Sequence, residues 1–534
     1  MPQRIIRRLL AFLPVLPLSL CLLLVVSRNL PASDQNTQAE AHAKQAADLI
    51  EAGNLPAAEL ELRKASDLAP NNSGILGNLG TVLAMEKKFE ESTGVFQRAL
   101  EIAPANLTLR RYLAANLWQL RRFPEAKRNL EIILKEKPGD PPTLLLLGMV
   151  SENMKDYGTA VRMLASVPAL VRQQPKSIAA LARSYYHIGS REQARVTLDE
   201  LLNHPAGPQA ILLGAQIADE MQDYDAAKKL LVSIPPTFPD QAEVGYRLAL
   251  VEYHAKQFDE SQRTLLHLIG SGLKSSDIYN LLGWCYQQQQ QPAQATDALE
   301  QAIRLDPAQE SNYLDLGKIL LANGSLPSAL ELAKRTAQAF PNSSRALLFK
   351  GTAELNVGQF TDAVDSYSAA LHLDSSDPDA SLGLAEAQFA AGRAEDATAG
   401  FEAGISRFPK DARFRLQYAL MLLKEADTGN AQAGAHAEQL LKSALALDDS
   451  LPEAHYQLGE IALSKGQTAE ALTHLQSAAK LDPGSAGTHF ALASVYRRLG
   501  RKAEASKELA LYEKWKEAES PVMRATQPDE QPRN

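Results

Sequence analysis

Two small residues recur along this chain in a fixed relation, and their spacing constrains the fold more than any other feature. The first is Ala46, Gly80, Ala114, Gly148, Ala182, Gly214, Ala249, Gly283, Gly317, Gly351, Ala385, Ala419, Gly459 and Ala493. The second is Ala58, Ser92, Ala126, Ala160, Ala194, Ala226, Ser261, Ala295, Ala329, Ala363, Ala397, Ala437, Ala471 and Ala505. The second follows the first by 12 residues in every unit but one, where the gap is 18. Most steps between units are 34 residues, with exceptions of 32, 35 and 40. A period of this length marks a stacked array rather than a single compact core.

The stretch 276–307 shows what each unit is made of. Tyr279, Leu282, Gly283 and Tyr286 fall on one face of a first helix, and Ala295, Leu299 and Ala302 on one face of a second. The small Gly283 and Ala295 sit where the two helices would touch. Pro292 falls in the first turn of the second helix, where its missing N–H costs nothing. Pro307 ends that helix, and Pro70, Pro104, Pro138, Pro341, Pro409 and Pro483 lie in the same phase. Apolar residues make up 45% and aromatics only 6%, with abundant Ala and Leu, which favours helix over sheet.

These eight positions, from Tyr279 to Pro307, resemble the tetratricopeptide repeat, with Tyr standing for its Trp and Leu for its Phe. The resemblance implies an all-α fold, a right-handed α-α superhelix in which helix A of each repeat lines an inner groove and helix B lies outside. Tiling the chain gives about fourteen repeats: 39–72, 73–106, 107–140, 141–174, 175–206, 207–241, 242–275, 276–309, 310–343, 344–377, 378–411, 412–451, 452–485 and 486–519. The extra residues of the 18-residue gap fall in a Gly- and Ala-rich stretch around 424–437, read as a loop. Repeats five to seven drift in spacing and collect prolines, which is read as looser turns. Residues 28–38 read as a polar linker and 520–534 as a disordered tail.

The N-terminus carries Arg4, Arg7 and Arg8, then an uncharged apolar run from Leu9 to Val26. Residues 1–27 are therefore expected to be a signal peptide or an N-terminal membrane anchor. The arginines keep the N-terminus inside and send the rest out. Location in a bacterial cell envelope follows, on the periplasmic side of the inner membrane or, if the segment is cleaved, in the periplasm. Cys21 lacks the small preceding residue of a lipid acceptor.

The groove offsets of the repeat family, carried onto this sequence, select candidates for binding. They are Arg111 and Trp118, Arg183 and Tyr186, Tyr246 and Tyr253, then Asn280 and Trp284. Further along they are Lys318, Arg345, Phe389, Arg413, Tyr456, Phe490 and Arg497. Large aromatic side chains on a concave surface are the usual anchors for a bound segment. Acidic residues such as Glu152, Asp379, Glu386 and Glu460 share the same face, so no single charge dominates it. The Lys/Asn/Arg clamp that some such proteins use for a C-terminal carboxylate is absent, since Ala43 and Ala47 stand in its place.

A net charge of −8 gives no basic field for a nucleic-acid backbone, so no nucleic acid is expected as a partner. Two cysteines, Cys21 and Cys285, exclude a disulfide scaffold. No phosphate-binding glycine loop, nucleophile elbow or H-E-x-x-H occurs. The ten histidines are scattered singly, and His187, His254 and His474 read as helix-surface residues. No cofactor, metal or catalytic residue is expected. The expected function is a non-enzymatic scaffold that holds proteins or peptides in the groove. The alternative is an accessory assembly subunit of an envelope machine for polysaccharide export or outer-membrane assembly.

Overall fold

The computed structural model describes residues 34–426 and 431–519. Residues 1–27, expected to be a signal peptide or anchor, and 520–534, expected to be a disordered tail, lie outside the described residues. Among the described residues the regular structure is entirely helical, and the chain divides into two compact units, Met1–Lys274 and Ser275–Asn534.

In the first unit the helices pair as hairpins in chain order. They are α1 (Asp34–Glu51) with α2 (Leu55–Leu68), α3 (Ser73–Met85) with α4 (Phe89–Ile102), α5 (Leu107–Gln119) with α6 (Phe123–Glu136), and α7 (Pro141–Asn153) with α8 (Tyr157–Ala165). A short α9 (Pro168–Val171) follows. Then come α10 (Pro175–His187) with α11 (Arg191–Asp199), α12 (Pro208–Glu220) with α13 (Tyr224–Val232), and α14 (Gln241–His254) with α15 (Phe258–Gly270).

The second unit repeats the plan. It holds α16 (Ser276–Gln288) with α17 (Pro292–Leu305), α18 (Glu310–Ala322) with α19 (Leu326–Ala339), α20 (Ser344–Asn356) with α21 (Phe360–Leu373), and α22 (Pro378–Ala390) with α23 (Ala394–Arg407). It ends with α24 (Ala412–Ala426) and α25 (Ala431–Leu447), α26 (Pro452–Ser464) and α27 (Thr468–Leu481), and α28 (Ala486–Arg498) and α29 (Lys502–Glu519). Within each unit the second helix of a hairpin packs on the first helix of the next, except after α11, where the 3-10 turn Glu200–Asn203 that continues it makes the contact with α12; the apolar core thus runs on from hairpin to hairpin.

The small residues do what their spacing implies. A Cβ on Gly283 would lie 2.7 Å from Leu299 Cγ and 3.2 Å from the Ala295 carbonyl, so the two backbones meet there. Gly459 stands in the same way 2.5 Å from Leu475. Gly317 differs, because its open side takes the ring of Phe349 from the next hairpin. First helices begin on side-chain caps: Asn72, Asn106 and Asp140, 34 residues apart, each accept backbone N–H groups of the first turn.

Four expectations are corrected. In α12 both Gly214 and Ala215 are buried, but Gln222, which has the positive φ of the hairpin turn, lies five residues before buried Ala227 as Gln290 does before Ala295, so the register falls on Ala215 and Ala227, one place after Gly214 and Ala226. Each pair is two adjacent small residues, which spacing alone cannot rank. With this register the steps of 32 and 35 become 33 and 34. The irregularity lies in the second helices α8, α11 and α13, cut to 9 residues each where 14 is usual, ahead of Pro168, Pro205 and Pro235. The extra residues near 430 are largely helical, since α24 runs to Ala426 and α25 is 17 residues long. The linker 28–38 is interrupted at Asp34, where α1 begins, and Ala39 is already buried against Ala65 and Ile75.

Candidate functional site

The candidate binding face belongs to the first helix of each hairpin. Four of its arginines turn toward neighbouring hairpins. Arg111 Nη1 lies 2.8 Å from Asp140, the cap of α7, and Arg183 Nη1 lies 2.8 Å from Glu152 on α7, with Glu220 of α12 at 3.7 Å. Arg413 lies 2.7 Å from Asp379 on α22 and 2.7 Å from Asp411. Arg345 reaches Glu310 at 3.7 Å, and Lys318 reaches Asp315 at 3.1 Å. Burial pushes the Asp140 carboxyl up, but the Thr143 hydroxyl and Arg111 outweigh it and hold the group below its ordinary range. The Asp411 hydrogen bond raises Arg413 further. Arg497 is exposed on α28.

The amide Asn280 joins a chain of polar groups between α16 and α18. Its Nδ2 donates to Asn312 Oδ1 at 3.0 Å and to Asp315 at 3.1 Å, and fully buried Asn312 donates to Ser276 at 2.7 Å. Two turns on from Asn280, Gln287 and Asn323 exchange two amide hydrogen bonds. Polar pairs of this kind fix which turn of one helix meets which turn of the next.

The aromatic candidates divide by exposure. Trp118 is half-buried and packs on apolar clusters of its own and the following hairpins, and Trp284 packs on the α17–α20 cluster. Tyr186 packs likewise and donates its hydroxyl to Asp223 at 3.0 Å. Tyr246 and Tyr253 are half-buried, the latter meeting Phe258 edge to face at 5.4 Å. Phe389 carries Lys424 over its ring at 5.5 Å, and Tyr456 packs on the α26–α29 cluster. Phe490 is the outlier: it is 49% exposed and leans on Tyr512. Beside these rings, burial holds the carboxyls of Glu386 and Glu460 above their ordinary range, with Arg413 and Arg498 only partly offsetting it.

Several polar centres carried no sequence signal. Asp223 is buried, accepts two hydrogen bonds from Arg195 at 2.7 and 2.8 Å, and accepts the Tyr186 hydroxyl. His187 and His254 are exposed on their helices and His474 is half-buried, and each of the three has a partner. His474 faces His455 at 3.1 Å, His254 pairs with Asp219 at 2.9 Å, and His187 stacks on Tyr157 at 3.9 Å. These partners lie 19 to 35 residues away in sequence, a distance at which local patterns say nothing. Among the described residues no three His, Cys, Asp or Glu side chains converge as a metal site, and no helix is long and apolar enough to cross a membrane.

A solenoid of helix hairpins with shared cores and small contact residues is the class that this fold defines. Sequence profiles described as "Tetratricopeptide repeat" match residues 286–351, 355–422 and 462–525, and others match 43–106 and 429–486. The chain contains tetratricopeptide repeats. It is 24% identical to "Protein CTR9 homolog" of Arabidopsis thaliana over 250 residues, which is 46% of this chain and 22% of that one. It is 26% identical to human "Protein O-mannosyl-transferase TMTC3" over 215 residues, 39% of this chain and 23% of that one. The chain thus spans less than a quarter of the length of these relatives. Among solved structures it is similar to the APC/C hetero-tetramer Cut9-Hcn1, at 13% identity and TM-score 0.37, covering 86% of this chain and 96% of that one. It is also similar to Naa15/Naa10 bound to HypK-THB, at 15% identity and TM-score 0.35, covering 91% and 90%.

Proposed function

We propose that this chain is a non-enzymatic scaffold that binds proteins or peptides on the first-helix face of its hairpins. In this reading about fourteen repeats fill residues 39–519, and the first helices of each compact unit present a concave groove. The observation that carries it is the state of that face. Arg111, Arg183, Arg345 and Arg413 are engaged with neighbouring hairpins, while Phe490, Tyr456 and Phe389 offer rigid apolar surface beside the raised carboxyls of Glu386 and Glu460. Binding then draws on aromatic contact more than on free positive charge. Residues 1–27 export the chain and tether it to the inner membrane, or are removed so that it sits in the periplasm. Service as an assembly subunit for polysaccharide export or the outer membrane is the second form of the same reading, favoured by the apolar run Leu9–Val26.

The test is photocrosslinking in cells, with a reactive residue placed at Phe490, Phe389 or Tyr456 and, as a control, at Asp362 on α21. Adducts that form at the first set and not at Asp362 are expected. Equal labelling at both overturns the groove assignment. N-terminal sequencing of the mature protein, with membrane fractionation, tests the export segment, and an intact soluble cytoplasmic chain overturns it.

A further inference from the structure

The hairpin α26/α27 contains two histidines that face each other. His455 lies on α26 four residues before Gly459, the register of Tyr279, Tyr313 and His489 in their hairpins. Its ring is buried, with Nε2 3.1 Å from the Asp449 carbonyl oxygen and Nδ1 3.1 Å from Nδ1 of His474 on α27. A carbonyl only accepts, so Nε2 of His455 carries its proton and neutral His455 turns a bare Nδ1 toward its partner. His474 then donates from its own Nδ1. This N–H···N bond survives one added proton, taken by the free nitrogen of His474. A second added proton leaves two N–H groups pointed at each other and two like charges at hydrogen-bond distance.

We propose that His455 and His474 form an acid-operated latch between α26 and α27, closed while at least one ring is neutral and released when both are charged. The surrounding charges do not cancel this. Asp449 Oδ1 lies 3.4 Å from His455 Nε2, but its side chain is 89% exposed and the attraction is screened by water. Glu470, one turn before His474, attracts protons, and Lys442 on α25 repels them. Lys442 is itself tied to Glu438, which also takes Lys465. Burial first, and then His455, holds His474 below the ordinary histidine range. A lowered folded-state value means full stability above about pH 6.5, lost as pH falls through that lower value.

The chain carries its own control. One hairpin later His489 occupies the same register, with Nε2 3.0 Å from the Pro483 carbonyl, but the residue facing its Nδ1 is Glu508, at 2.6 Å. His42 meets Glu61 in the same way at 2.5 Å. A carboxylate in this place welcomes the proton that a second imidazole rejects. His474→Glu should therefore turn the acid-released latch into an acid-tolerant one on a scaffold that already accepts that pair.

The experiment is hydrogen exchange of the full chain at pH 7.5 and pH 5.0, corrected for intrinsic rates. Amides of 452–481 are read against those of 310–339. In the wild type, protection of 452–481 should fall on acidification about tenfold more than that of 310–339. In His474→Glu the difference should vanish. His455→Tyr should also remove it, because Tyr313 in the same register donates to the Pro307 carbonyl at 3.3 Å and has no proton to gain. Equal loss in both segments of the wild type overturns the latch, as does undiminished loss in a variant whose helicity and protection at pH 7.5 match wild type. If both variants misfold at pH 7.5, the wild-type comparison decides alone.

Discussion

At the residue scale, the turn within each hairpin makes a demand that is met in two ways. The residue five before the buried small residue of the second helix has positive φ in every hairpin except α24/α25. In the second unit that residue is glycine at 324, 358, 392, 466 and 500, and Gln290 is the exception. In the first unit it is Lys87, Arg121, Lys155, Gln222 and Lys256, with glycine only at 53 and 189. An L side chain there costs about 1–2 kcal/mol, against roughly 0.5–1 kcal/mol of extra unfolded-state freedom for glycine. Arg121→Gly and Lys155→Gly should therefore each raise stability by about 0.5–1 kcal/mol, seen as a higher urea midpoint with unchanged slope. The opposite sign is expected at Gly459. There Ala meets Leu475 on a closed helix contact and should cost about 1–3 kcal/mol, measured in the same way.

At the element scale, the fold was readable because one helix contact admits only small residues, and a period of 34 exposes them without any knowledge of structure. The slip at Gly214 and Ala226 shows the limit, since adjacent small residues leave the register to packing. The binding face was readable as positions but not as states. Nothing near Arg183 in sequence announces Glu152 or Glu220, which arrive from the hairpins on either side. Asp223 is the sharpest such case. Burial pushes its carboxyl up, yet Arg195 and Tyr186 outweigh this and hold it below the ordinary range. That lowered value makes its contribution full above about pH 4, the unfolded-state range, and lost as pH falls through the folded-state value. Asp223→Asn leaves Arg195 and Tyr186 short of an acceptor and should cost about 2–3 kcal/mol at pH 7. The gap between variant and wild type should narrow in urea titrations as pH falls below about 4.

At the scale of the whole molecule, the two compact units differ in charge. Residues 275–534 hold 34 Asp and Glu against 24 Lys and Arg, while 1–274 hold 29 against 31. Each unit carries its own run of shared core, from Ala46 to Val251 in the first and from Ala295 to Ala505 in the second. Neighbour contacts supply most of the stability of such arrays. Residues 34–274 and 275–519, made separately, should each give helical circular dichroism and a cooperative melt. A unit that stays unfolded alone would show that its stability comes from residues outside it.

The hydrogen bonds between Asn280 and Asn312, and between Gln287 and Asn323, belong to one seam alone. The hairpins are thus alike in outline and unlike along their edges, as tiles cut from one mould but printed to be laid in a single order. Transposing 276–309 with 310–343 keeps composition, length and period, yet it sets mismatched edges together at two seams within the second unit. Such a shuffled chain should still be helical but melt at a lower temperature. For this protein, then, duplication can have supplied the shape, while the sequence of the tiles is information that each neighbour reads from the next.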